Sequence, residues 1–486
     1  MRLTNLLYIM DDEHNPKALG CAGHPLVKTP NLDRVAQRGV RFRYAYSSSP
    51  LCVPARGCIA TGLPVHQNGC WDNAIAYDGR IPSWGHRLQE NGHRSVSIGK
   101  LHYTNETDST GFDEQHIPMH IFDSGDLHGS VRDELPVRYQ SKNLAAHIGR
   151  GETEYSDYDR KIASLAQNWL TREAPKHGSK PWVLFVSFIC PHYPLVAPPE
   201  YYDMYPVERI PLPKRRIDYG APKHPWWQAF DGSYVFDRYF PSDHERRVAI
   251  AAYYGLCSFV DNNVGKLLKT LEDSGLAGNT RVIFTSDHGD NLGSRGMWGK
   301  STMYEESAGI PMFLMGPDVP AGRTVQTPVT LVDLYPTILD CTGVAPNADD
   351  RKRPGRSMLR IAAEKDDPDR LVMSEYHGAG ARTGSFMLRR GRFKYIHYVG
   401  YAPELYDLDT DPEELYDLGT RVEFASVVKE FEKTLRSMLD PEDVDRRAKR
   451  DQAALVARHG GREAVLSKGG VNHTPAPGND PIYIAN

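Results

Sequence analysis

Two acidic stretches lie far apart in the chain, and each follows a short apolar run. Asp11 and Asp12 come after LTNLLYIM, and Asp287 and His288 stand in SDHGD after TRVIFT. Adjacent carboxylates repel each other unless a cation compensates their charge. Carboxylate oxygens favour a hard divalent ion such as calcium, and the histidine also allows manganese, magnesium or zinc. Either stretch alone could equally be a solvated loop, but two at one sheet edge predict a divalent-cation site.

Basic and imidazole side chains recur at the ends of other apolar runs. Arg56, Lys100 and Lys300 stand in PARG, GKLH and WGKS, while His102 and His192 stand in GKLH and PHYP. Each of these residues taken singly is typical of a solvated loop. Around a divalent cation they would suit a tetrahedral oxyanion, whose charge builds up during group transfer.

The elements that must position these residues alternate between strand and helix patterns. RSVSIG and PWVLFVSFI are rich in Val, Ile and Phe, which is typical of strands buried on both faces. TPNLDRVAQRG starts with a capping threonine and a proline, which predicts a helix. The alternation predicts an α/β fold with a large, mostly parallel sheet flanked by helices. Function collects beyond the carboxyl ends of such strands, where the polar stretches fall.

The pattern divides the chain into three parts. Residues 1–355 form the predicted catalytic α/β domain, and irregular insertions at 105–160 and 196–245 are predicted to be substrate-facing loops. Residues 356–440 contain SFMLRRGRFKYIHYV, which predicts an antiparallel hairpin in a smaller α+β subdomain. Residues 441–486 are charged and then rich in Gly and Pro, so we expect an arm on a partner subunit or a loose tail.

Bulk composition narrows the class of protein. The chain has 486 residues, of which 40% are hydrophobic and 25% charged, and its formal charge of -4 gives no reason to expect nucleic acid or an anionic membrane as partner. No apolar run approaches the roughly 20 residues that span a bilayer. Seven scattered cysteines do not form a disulfide framework. Because acidic residues follow the first apolar run directly, it predicts a strand rather than a secretory signal, and we expect a cytoplasmic protein.

Cys52 begins the stretch CVPARGCIATG. A thiol between Leu51 and Val53 would, alone, be typical of an inert buried cysteine. The C-x-P-x-R pattern and the following TG resemble the signature of type I sulfatases, in which this cysteine is oxidised to formylglycine, an aldehyde. The resemblance runs from residue 5 to about residue 420. Its further motifs are LYIMDDEHN, TPNLDRVAQRGVRFRYAYSSSPLCVPAR, GKLHY, PHYP, TSDHGDNLGSRGMWGKSTMYEES and ELYDLDTDPEELYDL.

This resemblance implies an alkaline-phosphatase-like fold, with a smaller antiparallel sheet at the C-terminus, and a role for each motif residue. The implied metal ligands are Asp11, Asp12, Asp287, His288 and the formylglycine at Cys52. Arg56 would hold the aldehyde hydrate, and Lys100 and Lys300 would bind the sulfate oxygens. His192 would be the general acid, with Lys300 assisting the leaving group, and His102 would deprotonate the second hydroxyl of the hydrate.

The implied activity is hydrolysis of a small sulfate monoester to alcohol and sulfate. The hydrate attacks with one hydroxyl and then eliminates sulfate with the other, which restores the aldehyde. Maturation would require a formylglycine-generating enzyme as partner. The leaving alcohol stays open between choline, an aryl group and a sugar, and a dimer or tetramer is an open alternative to a monomer.

Three features resemble the branch of choline sulfatases and phosphonate monoester hydrolases. Asp287-His288 stands where many sulfatases have Asp-Asn, and WDNA and SEYHG are similar to stretches of choline sulfatases. Asn73 would thus be a substrate-oxygen ligand, or else part of a capped turn. Glu375 would face a cationic leaving group, since carboxylates with aromatic neighbours suit quaternary ammonium. The alternatives are a phosphonate monoester or phosphodiester hydrolase with the same nucleophile, and a sulfatase-like binding protein without turnover.

Overall fold

The fold was taken from a computed structural model, which describes residues 2–138, 140–178, 180–215, 224–481 and 483–484. Its strands are β1 (Asn5–Asp12), β2 (Gly39–Phe42), β3 (Ala45–Tyr46), β4 (Arg94–Lys100), β5 (Glu114–Met119), β6 (Ile148–Arg150), β7 (Trp182–Pro191), β8 (Leu195–Ala197), β9 (Thr280–Ser286), β10 (Met312–Met315), β11 (Arg323–Val325), β12 (Val329–Thr330), β13 (Val372–Tyr376), β14 (Ser385–Arg390), β15 (Phe393–Tyr398), β16 (Glu404–Asp407), β17 (Gly470–Val471) and β18 (Tyr483–Ile484). Its α-helices are α1 (Pro30–Arg38), α2 (Cys52–Thr61), α3 (Val65–Asn68), α4 (Trp84–Glu90), α5 (Gln140–Ala146), α6 (Glu154–Arg172), α7 (Pro199–Tyr202), α8 (Pro225–Tyr234), α9 (Asp243–Asp273), α10 (Glu305–Ala308), α11 (Leu334–Thr342), α12 (Met358–Ala363), α13 (Ala425–Met438), α14 (Pro441–Arg458) and α15 (Gly461–Ser467).

The large sheet has the strand order β11-β2-β10-β9-β1-β7-β4-β5. Its pairs are parallel except for the two that β10 makes with β2 and β9, so the predicted mostly parallel mixed sheet is confirmed. Strand β1 lies between β7 and β9, and Asp11 pairs in register with Ser286. The residues that follow Asp11 and Ser286 therefore leave the sheet side by side, which brings the two distant acidic stretches together.

Strand β1 is apolar from Leu6 to Met10 because helices cover both faces of the sheet. Leu7 and Ile9 pack in one hydrophobic cluster with residues of α6 and α9. Leu6 and Tyr8 pack in a second cluster with residues of α11 and α12. Alternate side chains of a strand point to opposite faces, so a strand with two covered faces reads as one continuous apolar run.

A smaller antiparallel sheet follows, in the order β13-β14-β15-β16. Strands β14 and β15 form the predicted hairpin and pair from Ser385 opposite Tyr398 to Arg390 opposite Phe393. Helix α13 packs on this sheet, and its Phe431 stacks on Tyr395 with ring centroids 5.6 Å apart. The expected smaller C-terminal α+β unit is thereby confirmed.

The last part of the chain folds back on the catalytic domain instead of fraying. Helix α14 contacts the loop after α3, where the Trp71 indole donates to Asp451 at 3.0 Å and the Gln452 amide donates to Asp72 at 2.8 Å. Gln452 is fully buried. Buried polar contacts thus hold α14 in place, although the composition of residues 441–486 predicts a loose tail. Within the described ranges, no helix is both long enough and apolar enough to cross a bilayer.

Candidate active site

Four potential ligand groups converge where β1 and β9 end and α2 begins. One atom each from Asp12, Cys52, Asp287 and His288 lies within 4.8 Å of the others, and all four residues are buried. The Cys52 Sγ is 3.1 Å from His288 Nε2 and 3.7 Å from Asp12 Oδ1. Cys52 is also the first residue of α2, where the positive end of the helix dipole favours negative charge. The structure thus joins the cysteine signature to the predicted metal residues.

The donor set fits a divalent cation. His288 Nδ1 lies 3.1 Å from the Gly289 carbonyl oxygen, which can only accept, so Nδ1 carries the hydrogen. The lone pair of Nε2 therefore faces the two carboxylates, at 3.9 Å from Asp12 Oδ1 and 3.6 Å from Asp287 Oδ1. A neutral imidazole oriented by its other nitrogen is the usual form of a metal-binding histidine.

Asp11, the remaining predicted ligand, lies beside this group rather than within it. Its Oδ2 is 2.5 Å from His14 Nδ1, and its buried Oδ1 has no hydrogen-bond partner among the described residues. Burial raises the pKa of the Asp11 carboxyl, an effect that His14 opposes. An unpaired buried carboxylate oxygen is costly, so a cation near Oδ1 would relieve that cost. The ligand role of Asp11 therefore stays a prediction.

Arg56 joins the carboxyl ends of β1 and β9. Its guanidinium donates through Nε to Asp287 Oδ2 and through one Nη to Asp12 Oδ2, both at 2.9 Å. Its other Nη donates to the Lys100 carbonyl at 2.7 Å and to Ser187 Oγ at 3.0 Å. The side chain of Arg56 is only 2% exposed, so these charges lie in a region of low dielectric. Each buried charge there needs its partner to offset the cost of desolvation.

Lys100 completes the charge balance around Asp12. Its Nζ lies 2.6 Å from Asp12 Oδ2, the same oxygen that Arg56 contacts. Burial alone would raise the pKa of Asp12, but the charges of Lys100 and Arg56 hold it well below its usual range. The carboxylate is consequently ionised, and its Oδ1 remains turned toward Cys52.

Glu13, which the motifs did not single out, contacts both Lys300 and His192. Its Oε2 lies 3.0 Å from Lys300 Nζ and 3.2 Å from His192 Nε2. Lys300 Nζ is in turn 3.2 Å from Cys52 Sγ. Sequence reasoning missed Glu13 because a glutamate directly after Asp-Asp looks like one more acidic loop residue.

His102 contacts the C-terminal segment, residues 472–474, and the sequence did not predict this contact. Its Nε2 lies 2.9 Å from Thr474 Oγ1, and its Nδ1 has no partner among the described residues. The Tyr155 hydroxyl donates to the Thr474 carbonyl at 2.7 Å, and the Tyr193 hydroxyl donates to the Asn472 carbonyl at 2.8 Å. Burial and the nearby charge of Lys100 lower the pKa of His102 well below its usual value, so its imidazole is neutral at neutral pH.

A cavity of about 150 Å³ lies beside the four potential ligand groups. Lys100, His102, His192 and Lys300 all border it, together with Cys52. The expected substrate-facing insertions also contribute, since Phe122, Tyr155, Tyr234 and Phe236 line the same cavity. Residues 216–223, in the second insertion, and residue 139, in the first, lie outside the described residues. The insertions therefore contribute aromatic side chains to the lining, and they also contribute charged ones such as Asp126 and Arg138.

The two residues predicted to bind substrate beyond the sulfate site have different surroundings. Asn73 borders the cavity, and its Oδ1 accepts a hydrogen bond from the Val53 amide at 3.1 Å, so it also holds the first turn of α2. Glu375 is fully buried between His66 Nδ1 at 2.9 Å and His377 Nε2 at 3.1 Å. It is absent from the described residues that line the cavity, so the structure does not bring it to the site.

Comparison with known proteins defines the family of the chain. The Sulfatase family profile matches residues 4–344, and the C-terminal profile of N-sulphoglucosamine sulphohydrolase matches residues 293–440. The chain therefore belongs to the sulfatase family, and it is a sulfatase-type enzyme.

Three known proteins illustrate what the chain is similar to. A choline-sulfatase of Rhizobium meliloti (strain 1021) is 30% identical over 433 residues, covering 85% of this chain and 82% of the relative. Arylsulfatase K of Homo sapiens is 27% identical over 459 residues, covering 90% of this chain and 82% of that relative. The phosphonate monoester hydrolase of Agrobacterium radiobacter has a similar fold, with a TM-score of 0.71 at 22% identity over 89% of this chain and 95% of its own.

Proposed function

We propose that this enzyme hydrolyses a small sulfate monoester with a formylglycine formed from Cys52 and one divalent cation. The observation that carries the proposal is the position of the Cys52 thiol. It lies at the start of α2, inside the group made with Asp12, Asp287 and His288, and 3.2 Å from Lys300 Nζ. Burial and Asp12 raise the pKa of the Cys52 thiol to about 12, so an unmodified thiol here is protonated at neutral pH and weakly nucleophilic.

Two groups that the chain itself does not carry complete the chemistry. A hydrated formylglycine at residue 52 supplies a nucleophilic hydroxyl and a second hydroxyl through which sulfate can be released. A cation held by Asp12, Asp287, His288 and residue 52, with Asp11 adjacent, supplies Lewis acidity toward an anionic ester. A formylglycine-generating enzyme would be needed during maturation.

The chain's own residues then have separate tasks. Arg56 fixes the spacing of Asp12 and Asp287 through its two short ion pairs. Lys100 and Lys300 present two ammonium groups to the cavity, which suits the oxygens of a bound sulfate. The neutral imidazole of His102 has Nδ1 without a partner among the described residues, so it can accept a proton.

The experiment that tests the proposal compares kcat/KM on matched esters of one aryl alcohol: a sulfate, a phosphodiester and a phosphonate monoester. We expect the sulfate to be preferred. A preference for the phosphonate or the diester would instead support the second candidate, which is favoured by the fold shared with the Agrobacterium radiobacter enzyme. No turnover of any ester by a chain carrying the aldehyde would support a sulfatase-like binding protein.

The alcohol is a further part of the proposal. A choline ester, an aryl ester and a sugar sulfate all remain candidates, and the choline-sulfatase of Rhizobium meliloti makes choline the first to assay. Glu375 is not proposed as the ligand of a cationic alcohol, because its carboxylate is occupied by His66 and His377. A cytoplasmic location and a dimer or tetramer stay expectations from the sequence.

Replacing His288 with alanine is expected to weaken metal binding at least ~10-fold, because one donor of the group is lost. Plasma mass spectrometry of the dialysed protein measures the metal content, and it also identifies the ion. Calcium is expected, since carboxylate oxygens dominate the site. The matched control is His397→Ala, which removes an imidazole bonded to Glu432 in the small sheet. Equal metal content in the wild type and both variants would contradict the assignment.

Replacing Thr474 with valine is expected to lower kcat about fivefold, because one hydrogen bond of ~1 kcal/mol no longer orients His102. Steady-state kinetics on the preferred ester measures the change. The control is Thr434→Val, since that hydroxyl caps a carbonyl on an exposed helix at 2.9 Å. A kcat unchanged by Thr474→Val would show that the C-terminal segment does not position His102.

A further inference from the structure

Lys300 has three acceptors around its ammonium group. Its Nζ lies 3.0 Å from Glu13 Oε2, 2.6 Å from His192 Nε2 and 3.2 Å from Cys52 Sγ. A lysine ammonium carries three hydrogens and has no acceptor. Three donors and three acceptors therefore fix the direction of every N–H bond, and one of them is aimed at residue 52.

The tautomer of His192 agrees with this arrangement. His192 Nδ1 lies 2.7 Å from the Tyr193 carbonyl oxygen, which can only accept, so the hydrogen of the neutral ring is on Nδ1. Nε2 then offers a lone pair to Lys300. Lys300, and not His192, carries the hydrogens that face the nucleophile in this structure.

Glu13 is the carboxyl member of the set, and its own position is tightly constrained. It is fully buried, and its backbone has φ of 70°, in the left-handed region that non-glycine residues seldom adopt. Its amide donates to Asp287 Oδ1 at 3.3 Å, and its carbonyl accepts from the Tyr253 hydroxyl at 2.7 Å. Strained backbone at a site persists only where the surroundings hold it, and here they aim the side chain at Lys300.

The residue before Lys300 leaves room for this contact. Gly299 also has a positive φ of 70°, and a Cβ built there would lie 3.0 Å from Glu13 Oε1. A glycine therefore lets the loop that carries Lys300 approach the glutamate closely. The close approach of the two groups thus depends on the backbone of Glu13 and on the missing side chain of Gly299.

From this geometry we propose that Glu13 is a positioning residue, which holds the Lys300 ammonium between His192 and residue 52. The inference rests on the proposed function, in which Lys300 binds the ester, and on the expectation from the sequence that Lys300 assists the leaving oxygen. A glutamate that merely neutralised a buried charge would affect every ester equally. A glutamate that directs one N–H bond matters most when the leaving oxygen needs most assistance, as in esters of poorly acidic alcohols.

The test compares Glu13→Gln with the wild type on one ester of an acidic phenol and one of an alkyl alcohol. Glutamine keeps the length and an acceptor oxygen but removes the charge. We expect kcat/KM to fall about 10-fold on the phenol ester and about 100-fold on the alkyl ester, and the larger loss is at the lower end of the range for positioned proton-transfer groups. An equal loss on both esters, or no loss on either, would overturn the proposal.

Two further variants keep the result interpretable. Glu13→Asp retains the charge and tolerates positive φ, so it should recover part of the loss on the alkyl ester. Glu414→Gln removes the carboxylate that pairs with the buried Lys394 at 2.8 Å, and it should not change the ratio between the two esters. If Glu13→Asp recovers nothing, or Glu414→Gln changes the ratio equally, positioning by Glu13 is contradicted.

A crystal structure of Glu13→Gln separates this inference from the proposed function. Lys300 Nζ should move away from His192 Nε2, and an unmoved ammonium would contradict the role of Glu13 whatever ester is hydrolysed. The kinetic comparison uses whichever class, sulfate, phosphodiester or phosphonate, the wild type turns over. Should the wild type turn over none, the position of Lys300 in the variant alone decides.

Discussion

Cys52→Ala is expected to lower kcat by at least ~1000-fold, the scale seen when a covalent nucleophile is removed. The thiol is the precursor of the proposed aldehyde and lies within 4.8 Å of the ligand atoms of Asp12, Asp287 and His288. Alanine leaves the metal carboxylates and both cavity lysines in place but offers nothing to attack the ester. Steady-state kinetics on the preferred ester measures the loss.

The matched control is Cys58→Ala, in the same helix. Cys58 is fully buried in the cluster that also contains Val65 and Trp71, so we expect a loss of stability with kcat little changed. Cys52→Ser separates the aldehyde from a simple hydroxyl nucleophile, because serine cannot supply the second hydroxyl that releases sulfate. It should be nearly dead or trapped as the sulfated enzyme. Full turnover by Cys52→Ser would contradict the mechanism.

Arg56→Met is expected to lower the free energy of unfolding by about 3–5 kcal/mol, measured by urea denaturation of metal-free protein. The guanidinium is only 2% exposed and pairs with Asp12 and Asp287 at 2.9 Å each. Methionine fills much of its volume but leaves two buried carboxylates without their shared cation. The penalty for an uncompensated buried charge is the reason for the large value.

An exposed arginine provides the comparison for Arg56. Arg360 pairs with Asp340 at 2.9 Å, but its side chain is 57% exposed. Arg360→Met should therefore cost only about 0–1 kcal/mol, as is usual for solvated ion pairs. Similar small losses for both variants would show that the pairs made by Arg56 do not stabilise the two strands.

The meeting of the acidic stretches could be predicted because it follows from local patterns. Apolar runs without alternation predicted strands covered on both faces, and parallel strands carry their following residues to one sheet edge. Asp12 and Asp287 needed no further information to be placed together. The hairpin of β14 and β15 could also be predicted from local pattern, since its turn stands between two alternating segments.

Contacts made by distant, weakly patterned segments could not be predicted. Thr474 reaches His102 across 372 positions, and the Gly- and Pro-rich composition around it gives no period from which its path could be derived. Its order comes from the hydroxyls of Tyr155 and Tyr193, which bind two of the segment's carbonyls. Glu13 was missed for a different reason, because its orientation depends on a positive φ that the sequence of a non-glycine residue does not announce.

Peptide mass spectrometry shows whether the side chain of residue 52 is a thiol or an aldehyde. Trypsin should release YAYSSSPLCVPAR, residues 44–56, from protein made in its native host or together with a formylglycine-generating enzyme. We expect a peptide that is lighter than the unmodified one, because one oxygen replaces one sulfur and two hydrogens, and that reacts with hydrazides. A preparation that turns over the ester with an intact thiol in every copy of this peptide would contradict the proposed formylglycine.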